Sequence, residues 1–248
     1  MKAVRLARPG ELAVVEVEPP VPGPGEVVVD VAYAGVCGSD VELLRGRRPE
    51  GFAVYPLIPG HEWSGVVRAT GPDVDAALIG RNVVGEGFRG CRACRWCAAG
   101  DAVLCETGYD EIGFTRPGAW AEQLVIPARQ LHLLDAGVDL RAAAALEPAA
   151  CSAATVAAAA IAPGERVAVV GAGTIGALAV QLARAAGPAE IVVVEPDPQR
   201  AATAARCGAT HVVAPEHADD LRGSCDVVIE AAGAHGTATL ALGLARRG

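Results

Sequence analysis

Residues 166–187 read RVAVVGAGTIGALAVQLARAAG. Arg166–Val170 is a short, apolar, largely β-branched run, and Gly171, Gly173 and Gly176 follow it in the order G-x-G-x-x-G. Behind them Ile175, Leu178, Ala179 and Leu182 recur at helical spacing. The stretch therefore predicts strand, tight turn and helix in immediate succession. Each glycine has its own reason in that geometry. Gly171 lets the chain turn sharply, Gly173 lets a pyrophosphate approach bare backbone, and Gly176 lets the helix lie close on the sheet. The amides that open the helix, at Thr174 and Ile175, sit at the positive end of its dipole, where phosphate oxygens are held well. A glycine triplet in isolation says little, but one placed between strand and helix predicts a dinucleotide site.

The chain keeps this rhythm downstream. EIVVVEPDPQR, CGATHVV and CDVVIEAAG supply further apolar runs with helical stretches between them, the alternation of a parallel sheet. Strands are expected at 166–170, 191–195, 211–214 and 226–230. Glu195 closes the second, where a carboxylate meets the adenosine ribose hydroxyls and repels a 2′-phosphate. NAD is thus expected over NADP, with Arg200 close enough in sequence to leave NADP open.

Upstream the texture differs. GEVVVDVAYAGVC has Val27, Val29 and Val31 in period two, with Glu26 and Asp30 opposite. EWSGVVRATG, GRNVVGEGF and GAWAEQLVIP are further short strands punctuated by Gly and Pro, which predicts a barrel or sandwich. The expected division is a β-rich domain over 1–155 and a parallel α/β domain over 156–248. The 248 residues are 52% hydrophobic but hold only three each of Phe, Trp and Tyr, so the cores must be mainly aliphatic. A net charge of −8 with no basic block argues against nucleic acid or an anionic membrane surface as partner. No secretory signal is visible at the N-terminus, and AACSAATVAAAAIAP is too short and Ala-rich to span a bilayer. A cytoplasmic protein is expected.

CRACRWCAAGDAVLC, residues 91–105, holds four of the eight cysteines. In a reducing compartment disulfides are disfavoured. The spacing C-x2-C-x2-C-x7-C, followed by Glu106, lacks the short gap and Pro of a ferredoxin-type cluster. Four thiolates so spaced suit a closed tetrahedral zinc that staples a loop, here over about 88–110.

These cysteines, the glycine turn and GHEWSGVVRATGPDV together resemble the zinc-dependent medium-chain alcohol dehydrogenases. Gly60, His61, Glu62, Gly65 and Gly71 match that family's signature. The branch resembled is that of the polyol, sorbitol and threonine dehydrogenases. The resemblance implies an N-terminal GroES-like β-barrel catalytic domain with a zinc lobe, followed by a Rossmann doubly wound sheet. It implies two zincs per chain. One is the structural zinc of Cys91, Cys94, Cys97 and Cys105. The other is a catalytic zinc on Cys37 and His61, with Glu62 and Glu147 as ligands directly or through water. Asp40 matches the acid that fixes the ligand imidazole's tautomer, and Ser39 the hydroxyl that takes the alcohol's proton. The implied reaction moves a hydride between a secondary alcohol or polyol (or its ketone) and NAD, in a homo-oligomer.

The sequence departs from the pattern twice. Glu42 stands where many relatives have a His that relays protons outward, and Ala154 where a His often follows the Glu-Pro motif. Two strands of a six-stranded Rossmann sheet are also not found, and on that count the given chain reads as truncated, with DVVIEA as an exposed edge. Weak NAD binding and impaired turnover are then expected. A catalytically impaired zinc- and nucleotide-binding protein is the alternative to an active dehydrogenase; a zinc-free reductase of the same fold is disfavoured by the intact ligand set. His132, His211, His217 and His235 read as surface histidines, Cys151, Cys207 and Cys225 as packed thiols, and the three Trp residues as packing.

Overall fold

The computed structural model describes residues 1–247. They form two compact units, Met1–Glu147 and Pro148–Gly248. The division and the expected boundary both fall within helix α4 (Leu146–Ala159). No helix among the described residues is long and apolar enough to cross a membrane.

The first unit is built on an antiparallel five-stranded sheet. Its strands are β3 (Glu26–Ala34), β4 (Trp63–Thr70), β5 (Asn82–Gly85), β6 (Gln123–Pro127) and β7 (Leu131–Leu133), in the order β6-β3-β4-β5-β7. A hairpin of β1 (Lys2–Arg8) and β2 (Glu11–Glu16) is joined to the rest through bridges from Ala3 to Ala121 and Leu6 to Leu57. Val27, Val29, Trp63, Val67, Val83, Leu124 and Ile126 form one buried core. The period-two reading of β3 is incomplete, because Val28 is buried as well. β3 lies between β4 and β6, with α3 (Leu140–Ala143) also in contact, and Val27, Val28 and Val29 at its start are all buried. Between β3 and β4 runs the short helix α1 (Gly38–Leu44), and the lobe after β5 carries α2 (Arg95–Ala99).

The second unit is a parallel sheet of β8 (Arg166–Val170), β9 (Glu190–Val194), β10 (His211–Val213) and β11 (Val227–Glu230), ordered β10-β9-β8-β11. In strand numbers counted within the unit this is 3-2-1-4, the start of the doubly wound order. Alternate residues explain the uninterrupted apolar strands. Val167, Val169, Ile191 and Val193 pack with Val180 and Ala183 of α5 (Thr174–Arg184) and Ala204 of α6 (Pro198–Cys207). Ala168, Val170, Val192 and Val194 pack on the other face with Leu221 and with Ala241 and Leu244 of α7 (Thr237–Leu244). Both faces are covered, so neither needs polar residues.

The buried stripe of α5 is Gly176, Ala179, Val180 and Ala183, displaced from the expected Ile175, Leu178, Ala179 and Leu182. Small residues win the sheet-facing positions because the helix lies so close: a Cβ on Gly176 would overlap the Gly171 carbonyl. Cys225 and Cys207 pack in the cores, but Cys151 is exposed, contrary to its reading as a packed thiol.

Candidate active site and metal centres

Cys37 caps the N-terminus of α1 in extended conformation, and its backbone amide donates to Asp40 Oδ2 at 2.8 Å. That bond turns Asp40 back toward the start of its own helix, where it is buried (4% exposed). The other oxygen, Oδ1, lies 3.7 Å from His61 Nδ1. Both of these atoms are buried without a hydrogen-bond partner, so each is the nearest polar group shown for the other. A carboxylate facing Nδ1 favours the proton there and leaves the Nε2 lone pair for another ligand. Asp40 thus ties one donor, Cys37, to a second, His61, that lies on a different segment.

That segment is clamped. Gly60 adopts a φ of +98°, and a Cβ there would overlap Trp120. Ala119 N donates to Gly60 O at 2.8 Å, and Gly35 N donates to Glu62 O at 2.8 Å. The Trp120 indole N–H closes the clamp on Gly35 O at 2.8 Å. Gly35 also leaves room for Glu62, whose Oε2 a Cβ at that position would overlap. The outcome is that one donor atom each from Cys37, His61 and Glu62 lies within 4.8 Å of the others. Tetrahedral zinc with bonds of about 2.0–2.3 Å sets its donors about 3.3–3.8 Å apart, so this set closes on such an ion with little movement.

The electrostatics agree with a cation's pocket. Burial alone disfavours the His61 cation, but Asp40 and Cys37 outweigh it and push the pKa up to about 10. The bond to His61 in turn lowers the Cys37 thiol, with Ser39 adding to the effect and burial opposing it. Ser39 Oγ lies 3.5 Å from His61 Nε2. Glu147, in the first turn of α4, is raised chiefly by burial and by the carboxylates of Glu62 and Asp40, with His61 opposing. It feels the cluster's charge, yet lies outside the group of converging donors. Glu42 is half-buried, and its carboxylate is 3.8 Å from Arg47.

The four lobe cysteines also converge, one sulfur each within 4.8 Å of the others. Backbone amides aim at these sulfurs: Cys91 N at Cys105 Sγ (3.2 Å), Cys94 N at Cys91 Sγ (3.4 Å) and Cys97 N at Cys94 Sγ (3.5 Å). The Thr107 hydroxyl, with the backbone amides of Cys91 and Thr107, brings Cys105 down to about 6. Despite help from Arg92 N–H, burial and the neighbouring sulfurs push Cys97 up to about 12. Four sulfurs so close cannot all ionise without a cation among them, and a closed thiolate zinc supplies it.

In the second unit Gly171 has a φ of +93°, and a Cβ there would come 2.8 Å from Ala232. Gly173 has nothing within 4 Å of its missing side chain, so the approach to its backbone is open. Gly171, Gly173, Glu195 and Arg200 line a cavity of about 530 Å³ with His235. Glu195 is buried and held by backbone: Oε2 accepts from Ala172 N at 2.7 Å and Oε1 from Asp197 N at 2.9 Å. Ser152, not singled out in the sequence, bonds Pro148 O and Ile175 O at 3.1 Å each and so ties α4 to the first turn of α5.

Residues 23–136 match the alcohol dehydrogenase GroES-like domain, and residues 174–248 the zinc-binding dehydrogenase domain. A sorbitol dehydrogenase of Halalkalibacterium halodurans is 34% identical over 96% of this chain and 71% of its own length. The chain belongs to the zinc-binding alcohol dehydrogenases. An L-galactonate-5-dehydrogenase of Escherichia coli is 36% identical over 81% of this chain, and the match spans 57% of that relative. Among solved structures, a zinc-binding dehydrogenase of Sinorhizobium meliloti bound to NADP superposes with a TM-score of 0.92 at 34% identity, covering 99% of this chain and 73% of that one. Membership in this family places the GroES-like barrel in the first unit and the Rossmann-type sheet in the second.

Several neighbours of the site carry no sequence motif. Glu111 is buried at 7% exposed, and burial pushes its pKa up to about 7, with His61 and Arg48 opposing and Glu147 and Asp40 reinforcing. Tyr109 donates to it, and the Phe114 ring lies 4.9 Å from the His61 ring. A lone acid in DEIGF offers no spacing to read, so sequence alone passes it over.

Proposed function

We propose that the chain is a zinc-dependent dehydrogenase that moves a hydride between a secondary alcohol of the polyol or sugar-acid type, or its ketone, and a nicotinamide dinucleotide. The convergence of Cys37, His61 and Glu62 carries this reading, because two soft or borderline donors and one carboxylate leave a tetrahedral ion one open position. The relatives named for sorbitol and galactonate supply the substrate class. Cys37, His61 and Glu62 would hold a zinc that makes a substrate hydroxyl more acidic, and a bound nicotinamide would supply the hydride acceptor.

The remaining roles belong to the chain. Asp40 holds the His61 tautomer. Ser39, beside His61, takes the substrate proton. Glu42 is the next acceptor outward in place of the histidine of many relatives. Glu147 stands by as a carboxylate that reaches the ion directly or through water. The lobe cysteines keep a second zinc that is structural. Gly171, Gly173, Thr174, Ile175 and Gly176 receive the pyrophosphate. Glu195 favours NAD by repelling a 2′-phosphate, with Arg200 its counterweight. The thiol-rich centres suit the reducing cytoplasm, and assembly is as a homo-oligomer.

The test is a panel of secondary alcohols and polyols with NAD and NADP, run beside metal analysis. Two zincs per chain, falling to one in Cys37→Ser with loss of turnover, is the expected result. One zinc in the unaltered chain, held by the lobe, would sink the reading. Unchanged pH–rate behaviour in Glu42→Ala would remove Glu42 from the proton path.

A further inference from the structure

The chain has three phenylalanines, and all of them gather with Tyr109 near His61. Tyr109 lies 4.7 Å from Phe52, 5.8 Å from Phe88 and 6.4 Å from Phe114, ring centre to ring centre. Phe52 is 42% exposed, so this cluster reaches solvent on one side. Arg48 enters it, with its guanidinium carbon 4.5 Å from the centre of the Phe114 ring and 6.0 Å from that of Tyr109. Its Nη2 donates to the Tyr109 hydroxyl at 2.9 Å, and the Tyr109 hydroxyl in turn donates a hydrogen bond to Glu111. The Arg48 Nε is buried with no hydrogen-bond partner.

Among the described residues three arginines are half-buried: Arg48, Arg89 and Arg166. Arg89 meets Glu26 at 3.0 Å and Arg166 meets Glu190 at 2.5 Å. Arg48 alone of the three has no carboxylate within ion-pair range among the described residues. A guanidinium withdrawn from water and flanked by aromatic faces is costly to leave unpaired. Glu111, the acid nearest along the hydrogen-bond chain, is engaged by Tyr109. An anion from outside the chain would complete Arg48, and Arg48 is one aromatic ring removed from a candidate metal ligand.

We propose that Arg48 is a specificity-determining residue that binds the carboxylate of a hydroxy-acid or sugar-acid substrate whose secondary alcohol lies at the Cys37–His61–Glu62 centre. The inference rests on the metal-site reading above and narrows its substrate class from polyols in general to those bearing an acid. A planar carboxylate matches the guanidinium fork. A phosphate dianion matches less well, because its second charge meets added repulsion from Glu111, the acid that shares Arg48's field. The ring faces of Phe114 and Tyr109 exclude water and so strengthen the ion pair.

The experiment loads the protein with cobalt(II) and titrates it with galactonate, galactitol and galactitol phosphate, following calorimetry and the cobalt visible spectrum. Galactonate is expected to bind at least about tenfold tighter than galactitol, the yield of one charge-assisted pair. Arg48→Met should bring that ratio to about one, and Arg48→Lys, which keeps charge but loses the fork, should retain only part of it. An equal or tighter affinity for galactitol in the unaltered chain, or an unchanged ratio in Arg48→Met or Arg48→Lys, overturns the proposal. So does tighter binding of galactitol phosphate than of galactonate. The metal-site reading fails by a separate signal, a cobalt spectrum that Cys37→Ser leaves unaltered; the galactonate ratio still decides on Arg48 in that case.

Discussion

The cysteine lobe and the Cys37–His61–Glu62 centre gather metal-type ligands in opposite ways. The lobe takes four identical donors from residues 91–105, turns them inward with backbone N–H bonds to sulfur, and leaves them half-buried within one loop. The second centre takes three different donors from two segments, one ahead of α1 and one ahead of β4, and surrounds them with buried or half-buried acids. Four equivalent thiolates saturate a tetrahedral ion and neutralise it in excess, which makes a strong staple and a poor electrophile. Three mixed donors leave one position open. Asp40, Glu111 and Glu147 then tune what happens there. On the proposed reading, one metal would serve structure in the lobe and reactivity at the mixed centre because of how many positions the protein fills.

The sharpest way to break this contrast is to remove one donor from each centre. Cys37→Ser should lower kcat/KM by on the order of 10³-fold or more, the scale of several kcal/mol of lost electrophilic stabilisation, while thermal unfolding barely moves. Cys105→Ala should do the reverse. Loss of the lobe metal should cost about 3–5 kcal/mol of local stability and expose residues 88–110 to limited proteolysis. If the two variants behaved alike, the division between structural and reactive centres would be wrong.

Two glycines sharpen the comparison on a smaller scale. A Cβ at Gly35 would overlap Glu62 Oε2, and one at Gly90 would press on Cys97 Sγ. Gly35→Ala should weaken metal binding at the mixed centre about 10–100-fold with the lobe untouched, and Gly90→Ala should weaken only the lobe. Competition with a chromogenic chelator reads both. Asp40→Asn, which removes the charge facing His61, belongs in the same range.

The smallest effect is the pH dependence that Glu111 brings to the mixed centre. Without zinc, burial pushes Glu111 up to about 7 from an ordinary value of 4.5. Between those values the unfolded chain has lost a proton that the folded chain keeps. The Glu111 contribution to stability therefore falls as pH rises through that window and levels off above it, where His61, raised to about 10, continues the decline in the zinc-free protein. Glu111→Gln should flatten the slope, and zinc, a nearby dication, should shrink it by favouring the carboxylate. Urea midpoints at pH 5 and pH 8, with and without zinc, give the answer.

Local features were legible because their signals are local. The glycine turn, the apolar strands 166–170 and 226–230, and the four lobe cysteines each lie within a span that one turn or one loop controls, and the fold is built from them as expected. The stripe of α5 was displaced because the close helix–sheet contact selects for small size, a property that hydrophobic spacing does not register. Val28 departs from the period-two reading of β3, because alternation presumes one wet face and the start of this strand has none.

What the sequence determined by itself is the succession of elements and the type of each ligand, since backbone preference and short-range spacing are properties of neighbouring residues. It took the tertiary structure to bring Cys37 to His61, to give Asp40 a hold on both, to leave Glu147 outside the donor set and to seat Arg48, with no carboxylate in ion-pair range, against Phe114. Those are contacts between residues far apart along the chain, fixed by how buried surfaces fit together, and no spacing in the sequence encodes them.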